Sequence, residues 1–193
     1  MNTSFIDYVA LMLINMVAAF VILAWYVYKG MDDPDQAKWA PAFAMPGVVA
    51  LLSGFRMAWT WPLPGPYGMA YGEMSVLLGI LFAAAAVALW KQWDLLPISI
   101  YAFFAGLAAV LLGVRIIDLK LTAQPAMSGI GFILSGLGGV FAAPTLCLRT
   151  NRYLRTLGAL MLLAAAAIWA VSGYVAYWMH TQFFQHWVPL LPR

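Results

Sequence analysis

The sequence predicts an all-α polytopic membrane protein of six transmembrane helices, with a parallel repeat of helical hairpins, and three observations carry the class. Of 193 residues, 65% are hydrophobic and 9% are charged, which lies outside the range of a soluble domain. Six apolar stretches, residues 5–28, 40–61, 70–91, 94–115, 127–148 and 156–179, each reach the roughly 20 residues that cross about 30 Å of hydrocarbon as a helix. Lysines and arginines gather in alternate connections, the pattern that fixes orientation in a bilayer. A soluble core of this length would not enclose so much apolar surface, so lipid is the expected solvent. The whole chain, 1–193, reads as one six-helix domain; 29–39 is a short polar turn and 180–193 an interfacial tail.

Each span has its own signals. In the first, Ser4 precedes Asp7 by three residues, the spacing of a capping box with Asp in the acidic place. No basic n-region or small-residue cleavage site precedes it, so this helix is expected to be retained. The second holds Arg56 about one and a half turns, roughly 8 Å, below its end at Pro62. The loop that follows, residues 60–68, is stiffened by Pro62, Pro64 and Pro66, which is expected to bring Arg56 and Glu73 within ion-pair reach. Glu73 falls in the first turn of the third span, where the positive helix end favours a carboxylate. The fourth ends at Arg115, and Asp118 shares its face if the helix continues. In the fifth, Gly131, Ser135 and Gly139 form a small-xxx-small face for close packing. Near its end Cys147 stands alone, so no internal disulfide forms, and packing is its default role. The sixth carries Tyr174 and Tyr177 and leaves the membrane at His180; the tail beyond is apolar but too short to span.

The odd-numbered connections carry Lys29, Lys38, Lys91, Arg149, Arg152 and Arg155. The positive-inside rule therefore places them in the cytoplasm and both termini outside the plasma (inner) membrane, with Arg115 and Lys120 opposing that orientation. The net charge of +3 is thus topogenic rather than a nucleic-acid footprint.

At an offset of 59 residues, Gly47, Ala50, Leu52, Gly54 and Arg56 align with Gly106, Ala109, Leu111, Gly113 and Arg115. The same offset pairs Gly72 with Gly131 and Gly79 with Gly138. Helix six gives a weaker echo in Ser172, Gly173 and Trp178, and helix one resembles helix three. The pattern predicts hairpins repeated in one orientation.

Ionisable groups at membrane depth are costly and tend to mark function. Arg56, Glu73, Arg115 and Asp118 all fall at the predicted outer face, among Trp59, Tyr71, Tyr174, Tyr177 and His180. Each has a local reading as well: snorkelling for Arg56, a helix-end carboxylate for Glu73, an i,i+3 pair for Arg115 and Asp118, an aromatic belt for the rings. Together they predict an outward-facing pocket that binds, and by extension translocates, a small solute or ion. The arginines would contact an anionic or amphipathic ligand such as a quinone or lipid, and the carboxylates would serve as counter-charges or proton acceptors. The alternative is a membrane subunit of a respiratory or redox assembly contacting quinone, haem or partner helices. A membrane enzyme using Glu73 as base ranks below both, so catalytic residues and cofactor stay unassigned.

Bis-histidine haem ligation normally draws on facing helices, whereas His180 and His186 are neighbours in one segment. Copper would have Met179 and His180 but no tight Met-x-Met or His cluster, so no metal site is assigned. There is no HExxH, no GxSxG and no strand-linked GxGxxG. The expected partners are the lipid bilayer, a small ligand, and either further copies of the chain or a membrane complex, with no nucleic acid.

Five stretches carry a family resemblance: Trp59-Thr60-Trp61-Pro62-Leu63-Pro64-Gly65, Tyr71-Gly72-Glu73-Met74-Ser75, Asp94-Leu95-Leu96-Pro97, Ile100-Tyr101-Ala102-Phe103-Phe104-Ala105-Gly106-Leu107 and Ser128-Gly129-Ile130-Gly131-Phe132-Ile133-Leu134. Over nearly all of residues 5–190 the chain resembles a family of small bacterial and archaeal membrane proteins catalogued as domain of unknown function 981. The resemblance implies a multi-pass membrane protein and brings no activity, cofactor or catalytic residue.

Overall fold

A computed structural model describes residues 8–185, and the predicted cap at Ser4 and Asp7, like His186, lies outside them. Among the described residues the regular structure is entirely helical: α1 (Tyr8–Tyr28), α2 (Ala40–Thr60), α3 (Met74–Lys91), α4 (Leu96–Leu119), α5 (Pro125–Val140), α6 (Ala142–Cys147) and α7 (Arg152–Phe183). A single π-turn, Gly68–Glu73, leads into α3. Five segments among the described residues are long and apolar enough to cross a membrane: Val9–Tyr28, Gln36–Thr60, Gly68–Lys91, Leu96–Leu119 and Arg152–Phe183. Large apolar side chains on their outer faces, such as Leu52, Phe104, Leu111 and Trp178, are exposed as expected of a protein solvated by lipid.

Local chemistry sets the helix ends. Proline occupies the first turn of α2, α4 and α5, where its missing N–H has no intrahelical partner to lose. Asn151 opens α7 by accepting a bond from the Leu154 N–H at 3.1 Å. At the other end α2, α3 and α4 stop at Trp61, Gln92 and Lys120, with φ of 43°, 56° and 53°, left-handed caps that return their N–H groups to the last turn.

Several boundaries differ from the sequence reading. The apolar stretch 127–148 is interrupted at Phe141. Pro144 explains the break, because a proline has no N–H for the Val140 carbonyl and its ring clashes with the carbonyl four residues back. Helix α4 runs on to Leu119, so Arg115 lies one turn inside it, and α7 continues through His180 to Phe183 instead of giving way to a tail. The polar 29–39 connection contains two short 3-10 turns, Gly30–Asp32 and Gln36–Trp39, pinned by Gln36, whose amide donates to the Gly30 and Asp33 carbonyls.

The helices associate chiefly as three pairs: α2 with α3, α4 with α5, and α1 with α7. Glycine permits the close approach, since in lipid helices associate largely by packing. A Cβ built on Gly54 would stand 2.8 Å from the Val76 nitrogen, and one on Gly79 would stand 2.8 Å from the Leu51 nitrogen. In the second pair, Gly113 stands in the same relation to Ile133 at 3.0 Å, and Gly136 to Val110 at 2.8 Å. In the third, Gly173 meets Ile14 at 3.3 Å. Inside, Met12, Met57, Ile116 and Trp169 are fully buried in one cluster, and Tyr26, Phe43 and Phe82 anchor a second.

Candidate functional site

A cavity of about 210 Å³ lies between the three helix pairs. Met16, Phe20 and Leu23 line it from α1, Met74, Leu78 and Phe82 from α3, Ile98, Ala102 and Gly106 from α4, Phe132 and Gly136 from α5, and Met161 and Leu162 from α7. It extends from mid-bundle, at Met16 and Phe132, to Met31, Leu95 and Leu146 near the odd-numbered connections. Four hydroxyls reach its wall, and each is already committed as a donor. Ser99 donates to the Leu96 carbonyl at 2.6 Å, Ser135 to Gly131 at 2.7 Å, Thr145 to Phe141 at 2.8 Å and Tyr26 to the Gln36 side chain at 2.8 Å. Ser135 also accepts from Trp169 Nε1 at 3.0 Å. What this cavity offers is hydrocarbon contact; an ion there would meet no compensating charge.

The residues that the sequence assigned to a ligand pocket lie elsewhere, and none of them lines this cavity. Arg56, Glu73, Arg115 and Asp118 are exposed, and Arg115 Nη1 meets Asp118 Oδ2 at 2.6 Å. The other ion pairs among the described residues are Lys38–Asp33 and Arg155–Asp32, so the expected Arg56–Glu73 pair is not formed. The helix geometry accounts for this: Met57 and Ile116 face the core while the arginines before them point outward. Trp59 is 79% exposed and stacks on Phe55 at 4.8 Å. Tyr174 and Tyr177 are exposed on α7, and His180 sits edge-on to Phe184 with ring centroids 6.1 Å apart. Tyr71 is the exception. It is buried in the core, between Tyr67 at 5.9 Å and Phe132 at 5.5 Å, and Phe132 in turn meets Trp169 at 5.1 Å.

The family described as Protein of unknown function (DUF981) matches residues 1–182. The chain belongs to that family. No curated protein and no solved structure matches it.

Among the described residues of this DUF981 protein, the most buried charge is one the sequence reading treated only as topogenic. Arg155, 4% exposed at its side chain, donates from Nε to the Val27 carbonyl at 2.7 Å, from Nη2 to Tyr28 at 2.8 Å, and from Nη1 to Arg149 at 3.1 Å and to Asp32 Oδ1 at 2.8 Å. It thereby satisfies carbonyls left open at the end of α1 and ties that helix to α7. The Arg155 hydrogen bond, reinforced by the positive charges of Arg155, Arg152 and Arg149, holds the Asp32 carboxyl below its usual range. Hydrogen bonds from Lys38 and Trp39 do the same for Asp33. One signal of this role is present in the sequence: arginines in the first turn of a helix oppose its dipole and need compensation from elsewhere.

Proposed function

We propose that this DUF981 protein binds the hydrocarbon portion of an amphipathic membrane molecule, a lipid or a quinone, in the cavity between its helix pairs. One observation carries the reading: the space is walled by apolar side chains, and the hydroxyls that reach it already donate within the protein. A solute or ion pathway through Arg56, Glu73, Arg115 and Asp118 has less support, because these side chains are exposed and none of them lines this cavity. They are better read as groups reaching the headgroups. The ligand's polar end would then lie near Met31 and Leu95, where the cavity approaches the basic connections. The orientation inferred from charge makes this the cytoplasmic side of the plasma membrane, with both termini outside.

The proposal includes the architecture around the cavity: α5 and α6 together make a sixth crossing, and the three helix pairs are copies of one hairpin. In support, Gly54 and Gly79 meet Val76 and Leu51 just as Gly113 and Gly136 meet Ile133 and Val110. The first helices keep the 59-residue offset, while the second match at 57. Gly72 and Gly79 therefore correspond to Gly129 and Gly136, not to Gly131 and Gly138. Gly173 against Ile14 gives the third copy, made by the last and first helices.

The test is occlusion. Ala85 and Ala105 both line the cavity, and Ala85→Phe with Ala105→Phe fills it from two sides. Binding of a pyrene-labelled fatty acid to the purified protein, followed by fluorescence, is expected to fall on the order of tenfold, which corresponds to about 1.4 kcal/mol. Undiminished binding in a folded double variant would sink the proposal.

A further inference from the structure

On the other side of α1 a second cleft, of about 570 Å³, opens between the end of that helix, the 29–39 connection and the start of α7. Successive residues divide the two spaces: Tyr26 and Val27 line the cavity, Tyr28 and Lys29 the cleft. Lys29, Lys38, Arg152 and Arg155 line it against two carboxylates, Asp32 and Asp33. Both carboxylates are engaged. Asp33 accepts from Lys38 Nζ and Trp39 Nε1, each at 2.7 Å, and Asp32 accepts from Arg155 at 2.8 Å. The excess positive charge therefore falls on Lys29 and Arg152, both exposed. The Lys29 ammonium lies over the Trp25 ring, 5.5 Å from its centre, a contact that uses none of its three N–H donors. Trp25 and Tyr28, exposed in the last turn of an apolar helix, occupy the depth at which aromatic rings meet lipid headgroups.

We propose that this cleft binds the phosphate of an anionic phospholipid headgroup, with Lys29 and Arg152 as its donors and Trp25 and Tyr28 flanking the start of the acyl chains. Guanidinium and ammonium groups both suit phosphate oxygens. A free phosphate would satisfy the same donors, but the place of the cleft at the end of a membrane-crossing helix makes lipid the source. The site stands independently of the apolar cavity, which α1 separates from it.

Native mass spectrometry of the full chain, released from micelles holding equal phosphatidylglycerol and phosphatidylcholine, tests the assignment. Wild type is expected to retain phosphatidylglycerol preferentially. Lys29→Ala with Arg152→Ala should weaken that retention on the order of tenfold, given that each basic residue at a membrane surface contributes to anionic-lipid affinity. Lys91→Ala, at the same end but outside the cleft, should leave it unchanged. Lys29→Gln alone, an exposed single change, keeps the test open if the double variant does not fold, and should show part of the loss. Equal retention of both lipids by wild type, undiminished retention in the cleft variants, or an equal loss in Lys91→Ala overturns the proposal. Full displacement of phosphatidylglycerol by millimolar inorganic phosphate overturns the lipid source.

Discussion

Arg155 shows how a single side chain fastens α7 to the end of α1. Its guanidinium bonds the carbonyls of Val27 and Tyr28, more than a hundred residues away, together with Asp32. Truncation to Met would leave partly buried carbonyls without donors, at a cost of up to about 1–3 kcal/mol each. Arg155→Met is therefore expected to destabilise the protein by on the order of 3 kcal/mol, read from thermal or denaturant unfolding in detergent. Arg155→Lys should recover only part of it, since an ammonium cannot reproduce the planar fork. The same cluster sets a pH dependence. Asp32 and Asp33 have carboxyls held below the usual range, so their contribution is complete above the unfolded value near 4 and is lost as pH falls through the lower folded values. The melting temperature should drop below about pH 4. Asp32→Asn should lower it at neutral pH and remove part of that acid dependence; a variant as acid-sensitive as wild type would show that Asp32 takes no part.

At the scale of helices, composition made most of the architecture legible. Five of the six apolar runs coincide to within a few residues with the long apolar helices among the described residues. The break at Phe141 was missed because the stretch stays apolar throughout, and hydropathy does not register the N–H that Pro144 lacks. The site was harder to read. Charge marked the outer residues, but which side of a helix faces lipid depends on partners that sequence alone does not specify. The glycines of α5 show the same limit, since composition treats them alike and packing does not. A Cβ on Gly136 would stand 2.8 Å from the Val110 backbone nitrogen, which cannot yield without moving α4, whereas one on Gly138 meets only the tip of Leu162 at 2.9 Å. Gly136→Val is expected to cost about 1–3 kcal/mol through overpacking, and Gly138→Val clearly less because a flexible side chain can turn aside. Equal losses in unfolding measurements would show that α4 and α5 separate freely.

For the molecule as a whole, the proposed threefold arrangement makes a demand that no single contact makes. Two of the helix pairs are continuous in the chain, while the third joins its last helix to its first: α7 packs on α1, with Gly173 against Leu13 and Ile14. If all three are copies of one hairpin, chain order within the third is a matter of where the polypeptide was opened. The packing runs antiparallel, so the end of α7 and the start of α1 lie at the same end of the bundle and can be joined through residues 184–193 and 1–7. A circular permutant that begins at Asn151 and ends at Thr150 then reads as three successive hairpins, α7–α1, α2–α3 and α4–α5 with α6. It also converts the most non-local pairing in the fold into a local one, which lowers the loop-closure entropy that precedes its formation. The permutant is expected to insert, to melt within a few degrees of the native chain, and to bind the pyrene-labelled fatty acid with unchanged affinity. A permutant that inserts but cannot pair α7 with α1, as judged by failure of cysteines placed at Leu13 and Ser172 to cross-link, would show that this pair depends on native chain order and is not a third hairpin.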